Sequence, residues 1–114
     1  MASVALQAMK KGSMTLFPGN PIRDFVYIKD IVDANIHAIS NDVKSGVYDV
    51  GTANARSFED VCDILDIPYD YADHGVIPKH YQYETEADSE KWLPNWKPKY
   101  SLEKGLSLYA NSFY

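Results

Sequence analysis

The sequence predicts an α/β protein, a small α+β-like lobe in which short strands alternate with about four to five helices. Three observations predict it. Apolar residues recur at helical spacing in several separate windows. Short β-branched and aromatic runs lie between those windows. Gly, Pro and Asn punctuate the junctions. The 114 residues suit a single domain, 1–114, with no internal repeat or low-complexity tract.

Residues 2–11 read as the first helix, with Ala2, Ala5, Leu6 and Met9 on one side. Lys10 and Lys11 fall in its last turn, where cations oppose the helix dipole, and Gly12 stops it. No cap precedes it, so a helix opening at Met1 reads as the continuation of earlier structure. Residues 13–17 form a short strand, and Pro-Gly-Asn-Pro is a turn with Gly19 and Asn20 suited to positive φ. Residues 24–28 make a second strand. Asp30 is placed to cap a helix over 31–40, whose buried stripe is Val32, Ile36 and Ile39, with Asp33 and His37 on another face.

Val47, Tyr48 and Val50 form a strand between Gly46 and Gly51. Ser57 opens the next helix with Asp60 as its capping-box partner, and Phe58, Val61, Cys62 and Leu65 fit the i, i+3, i+4, i+7 pattern. Pro68 lies just past its end. Residues 67–80 are irregular, 81–84 read as a short strand and 86–92 as a short helix. A proline-punctuated connector follows. Ser101 then caps a last helix with Leu102, Leu106, Tyr109 and Phe113 on one face.

Composition excludes some classes of function. Eleven basic against sixteen acidic residues leave a net charge of −5, which repels a phosphate backbone, and no basic cluster offsets it. Nucleic acid is therefore not an expected partner. A single arginine still outweighs a distant, salt-screened net charge, so a small anionic ligand remains open. No apolar run reaches the ~20 residues of a membrane span. The N-terminal lysines follow the apolar part rather than precede it, which is not a signal-peptide pattern. The lone Cys62 cannot close a disulfide within the chain, in keeping with a reducing cytoplasm.

Catalytic equipment is not visible. No three of the glycines have G-x-G-x-x-G spacing, and no Walker loop occurs, so no cofactor-binding residue is assigned. Cys62 sits on a buried helical stripe and reads as core. His37, His74 and His80 lack metal-ligand spacing. Tyr100 and Lys104 spell Y-x-x-x-K, but Tyr100 precedes the Ser101 cap. The two are not expected to share a helix face, and the match reads as coincidence.

The stretch "RDFVYIKDIVDANIHAI" followed by "GVYDVGTANARSFEDVCDIL" resembles the C-terminal part of extended short-chain dehydrogenases, the NAD(P)-dependent nucleotide-sugar epimerases and dehydratases. The branch it most resembles is the ADP-glycero-manno-heptose 6-epimerases, through "MASVAL", "LFPGN", "YQYETEAD" and "KPKYSLEKGLSLY". The resemblance covers essentially the whole chain but only the last third or so of such an enzyme. It departs from the family in a shorter turn between Phe17 and Arg23, in His80 where relatives often carry arginine, and in Asp49 for the usual asparagine.

The resemblance implies a substrate-binding lobe. It implies that Arg23 reaches the diphosphate of a nucleotide-sugar, with Phe17 against the base or ribose. Gly19 would let backbone N–H groups approach the ligand, Asn20 would donate a hydrogen bond, and Tyr81 would hold the substrate. Guanidinium chemistry suits the first role, because it is always charged and forks onto phosphate oxygens. The resemblance implies NAD or NADP for the full-length family, bound by a Rossmann half that these residues do not contain. The chain alone is thus expected not to catalyse, and a separately encoded Rossmann partner is one expectation. The alternative is a folded remnant serving as a protein-interaction or self-association module. The strand edge at 47–50 then makes a homo-oligomer the expected state.

Overall fold

The computed structural model describes residues 2–112, with the backbone alone at Ala2. The side chain of Ala2 and all of Phe113, both expected on apolar helix faces, lie outside the described residues. Four helices and four short strands follow in mixed order. Helix α1, Ala2–Lys11, buries Ala5, Leu6 and Ala8 and leaves Met9 at the surface, so its stripe is turned toward Ala8. Strand β1, Met14–Leu16, pairs in parallel with β4, Tyr69–Tyr71. Residues 69–71 lie where the sequence reads as irregular. Tyr-Asp-Tyr alternates but is too short to stand out among turn formers, and β1 supplies its partner. The ladder is extended by Met14 N–H to the Pro68 carbonyl at 2.9 Å and Ala72 N–H to Leu16 at 2.8 Å.

Strand β2, Ile22–Arg23, pairs antiparallel with β3, Arg56–Ser57. The strand expected over 24–28 does not form. From Asp24 onward a side chain takes the hydrogen bonds that a ladder would use: its carboxylate accepts the N–H groups of Thr52, Ala53 and Ala87 at 2.8–2.9 Å. Gly51 makes this approach feasible, since a Cβ there would stand 2.7 Å from both Asp24 Oδ2 and Ala87 Cβ.

Helix α2, Ile28–Ser40, starts three residues before the expected point. Its N-cap is Tyr27, with no side-chain cap, and Asp30 lies inside the helix. Asp30 is fully buried and accepts the backbone N–H groups of Lys99 (2.9 Å) and Tyr100 (3.1 Å). The same side carries Ala34 against Leu93 and Trp96, a 3.5 Å ion pair from Asp33 to Lys99, and a 2.7 Å hydrogen bond from the His37 ring to the Pro94 carbonyl. The expected stripe is therefore on the outer face: Val32 is 49%, Ile36 57% and Ile39 85% exposed. The strand expected at Val47–Val50 is reduced to one parallel bridge, Asp49 to Trp92, and Val47 is almost wholly exposed.

Helix α3, Phe58–Ile64, opens on the expected capping box, with both Ser57 and Asp60 bonds present. Arg56 braces it by pairing with Asp60 at 3.2 Å and with Glu103 at 2.7 Å on the last helix. Residues 81–84 contribute one bridge, Glu84 to Ile22, and 86–92 one turn of 3-10 helix, Ser89–Lys91. Helix α4, Leu102–Asn111, is capped by Ser101 as expected. The main core gathers Ala5, Ala8, Leu16, Val61, Cys62 and Leu106 from α1, β1, α3 and α4, with Ile67 from the link between α3 and β4. A second cluster, Ala34, Leu93 and Trp96, is separate from it. There the indole N–H groups of Trp92 and Trp96 are buried with no partner among the described residues.

Candidate functional site

Arg23 ends β2 and stands beside the segment 81–85, which runs along that strand through Ile22 N–H to Tyr83 O at 2.8 Å and Thr85 N–H to Ile22 O at 3.3 Å. Its guanidinium donates from Nη1 to the Ile22 carbonyl at 2.8 Å and from Nη2 to the Gln82 carbonyl. The guanidinium carbon lies 5.2 Å from the Tyr81 ring centroid and 5.8 Å from that of Phe58, within cation–π range. Among the described residues no carboxylate pairs with it. Two neutral carbonyls and two ring faces fix the group without cancelling its charge. The cation is half-buried and its charge is left unbalanced by any described carboxylate.

The aromatic residues form a row. Phe17 meets Tyr81 edge to face at 5.2 Å, and Tyr81 meets Tyr83 in the same manner at 5.2 Å. Gly19, at φ +90°, lies under Tyr83: a Cβ there would come within 2.9 Å of the ring. The glycine thus seats a ring as well as the turn. Asn20 follows at φ +50° and is exposed, with its amide free of hydrogen bonds to described residues. Phe17, Gly19, Arg23 and Tyr81 are brought together by β1, the turn, β2 and the segment beside it, and Asn20 borders them in the turn. Phe58, Tyr83 and the Gln82 carbonyl were not anticipated. For Tyr83 the sequence carries the signal, since i and i+2 of an extended segment share a face and Tyr81 lies two residues before it.

Neighbouring Asp24 belongs to the frame of the site. Burial alone pushes its carboxyl up, but the Thr52 hydroxyl and the N–H groups of Ala87, Thr52 and Ala53 outweigh that and hold it below the ordinary value. Cys62 is buried, with its thiol 3.8 Å from the Met14 sulfur, and burial, Asp63 and Glu59 push it up. That is the opposite of an activated nucleophile. Tyr100 precedes α4 as expected, yet the two side chains of the Y-x-x-x-K match do meet: the Lys104 ammonium lies 5.2 Å over the Tyr100 ring, which itself packs on Tyr27. The contact is with the ring face and braces the connector.

Among the described residues no group of three or more His, Cys, Asp or Glu is placed to hold a metal ion. No described helix is long and apolar enough to cross a membrane. An apolar cavity of about 310 Å³ lies between residues 25–28 and α4, lined by Phe25, Tyr27, Leu102 and Leu106, and does not include Arg23. An open cleft is lined by the acidic residues Asp24, Asp49 and Glu86.

Residues 1–51 match the model of the NAD dependent epimerase/dehydratase family. The chain is 34% identical over 116 aligned residues to the ADP-L-glycero-D-manno-heptose-6-epimerase of Fusobacterium nucleatum, which takes in 83% of this chain and 33% of that protein. Its fold superposes on the Helicobacter pylori ADP-L-glycero-D-manno-heptose-6-epimerase with a TM-score of 0.78 at 33% identity, over 97% of this chain and 36% of the other. The UDP-glucuronic acid 4-epimerase of Bacillus cereus, solved with UDP-glucuronic acid and NAD, also gives 0.78, at 23% identity over 97% of this chain and 39% of that one. At that identity the likeness speaks for the fold alone. The chain spans about a third of the length of the curated relative from Fusobacterium nucleatum.

Proposed function

The chain belongs to the NAD dependent epimerase/dehydratase family, and from that premise we propose that it is the nucleotide-sugar-binding lobe of an epimerase of the ADP-heptose type. The observation that carries this reading is the Arg23 guanidinium, fixed by carbonyls and rings and left without an anionic partner among the described residues. Its remaining donors fork onto the diphosphate of an ADP-sugar. Phe17 and Tyr81 wall the ligand, and Gly19 and Asn20 shape the turn beside it.

These residues include no glycine fingerprint, so the nicotinamide groove and the proton-handling Tyr and Lys come from a Rossmann half beyond them. That half would hold NAD or NADP, which would supply reversible hydride transfer at a sugar carbon. This lobe contributes placement: it holds the diphosphate so that the sugar carbon is presented in one orientation. Alone it does not turn over substrate.

Calorimetric titration with an ADP-sugar tests the proposal. The chain binds saturably, and Arg23→Ala weakens binding about tenfold or more, the usual loss when a charge-assisted hydrogen bond goes. A folded wild-type chain without saturable binding, or an Arg23→Ala variant that binds equally well, overturns it. The outer face of α2 supports a second reading, a self-association module, because Ile28, Val32, Ile36 and Ile39 are all exposed there. That reading gains if the chain oligomerises and ignores the ADP-sugar.

A further inference from the structure

We propose that Tyr83 is the base-binding residue of the ligand site, stacking the base of the nucleotide while Arg23 holds the diphosphate. This rests on the nucleotide-sugar reading and adds a residue that the reading does not include.

The placement of Tyr83 is over-determined. Its carbonyl is tied to Ile22 N–H at 2.8 Å, so the backbone cannot drift from β2. Its ring stands edge-on to Tyr81 at 5.2 Å and rests over Gly19, where any side chain would collide at 2.9 Å. A ring fixed on two sides is ordinarily buried, yet Tyr83 is 45% exposed. Its hydroxyl makes no hydrogen bond to a described residue, so the polar tip does not explain the position. What remains is a held aromatic surface open to solvent. It lies one ring spacing beyond Tyr81, whose own ring is 5.2 Å from the Arg23 guanidinium carbon. A cation and a displaced flat ring suit a ligand with an anionic middle and a planar end. Stacking on a fixed tyrosine has little conformational entropy to lose.

Two probes separate the parts of the site: ADP, with base and diphosphate, and inorganic pyrophosphate, with the anion alone. Tyr83→Ala weakens ADP about tenfold, in line with the loss of one base–aromatic stack, and leaves pyrophosphate unchanged. Tyr83→Phe keeps both affinities, and Arg23→Ala weakens both. In Tyr83→Trp the indole fluorescence is quenched by ADP and not by pyrophosphate, which decides the matter if the alanine variant misfolds. Unchanged ADP affinity in a folded Tyr83→Ala, equal loss of both probes, or an unquenched Tyr83→Trp overturns the proposal while leaving the nucleotide-sugar reading intact. A folded wild-type chain that binds neither probe overturns both.

Discussion

Arg23 and Asp24 are adjacent and oppositely charged, yet they do not pair. In an extended backbone consecutive side chains point to opposite sides, so one faces the aromatic row and the other the loops at 52–53 and 87. Asp24 fixes the backbone that presents Arg23, and its depressed pKa has a consequence in pH. Because the folded value lies below the ordinary 3.8, its contribution is fully present above that pH and is lost as pH falls through the folded value. Chemical denaturation between pH 7 and pH 3 should show a drop in stability at the acid end that is smaller in Asp24→Asn. At neutral pH the asparagine variant should be less stable by about 1–3 kcal/mol, since one amide oxygen cannot serve every donor. An Asp24→Asn chain with the wild-type acid profile would remove Asp24 as the source. At this scale the resemblance singled out Phe17, Gly19, Arg23 and Tyr81, and the fold sets them side by side. Phe58 reads as core by its helical spacing and does pack against the core, but its second contact, beneath the guanidinium, has no signal in that spacing.

Among the elements, those with local signals were legible. Helix α1 with its glycine stop, the capping box of α3 and the Ser101 cap of α4 each depend on a few adjacent residues, and each is present. The face that α2 buries was not legible. Apolar periodicity chose Val32, Ile36 and Ile39, but the connector at 93–100 offers carbonyls and N–H groups, and the helix turns Asp30, Ala34 and His37 toward it. The strand at 47–50 failed for a related reason: a parallel strand needs neighbours, and here it has one bridge. Asp30 is thus the fastener of α2. Asp30→Ala removes the acceptor of two part-buried N–H groups and should cost about 1–3 kcal/mol in urea denaturation. A loss below ~0.5 kcal/mol, the range of ordinary surface changes, would show that water replaces the carboxylate.

The whole molecule is a plate of 48 × 37 × 16 Å. Its radius of gyration is 16.1 Å, against about 13 Å for a compact chain near this length. Its accessible surface is 7595 Å², against about 6,300 Å² for a compact protein of this mass. Much of the apolar excess lies along the outer face of α2 and at Val47. Sedimentation at micromolar concentration should therefore report a species heavier than the 12.9 kDa monomer. Val32→Glu with Ile36→Glu should return it to the monomer without unfolding it, because both side chains are already at the surface. A wild-type chain that sediments strictly as a monomer would contradict this expectation.

A slab 16 Å through leaves room for little more than one layer of side chains between two wet faces. Beside its core the molecule also has stitches, the places where Asp24 and Asp30 grip distant backbone and Arg56 ties β3 to α4. Urea, which competes for peptide groups, works directly on two of those seams, and salt loosens the third.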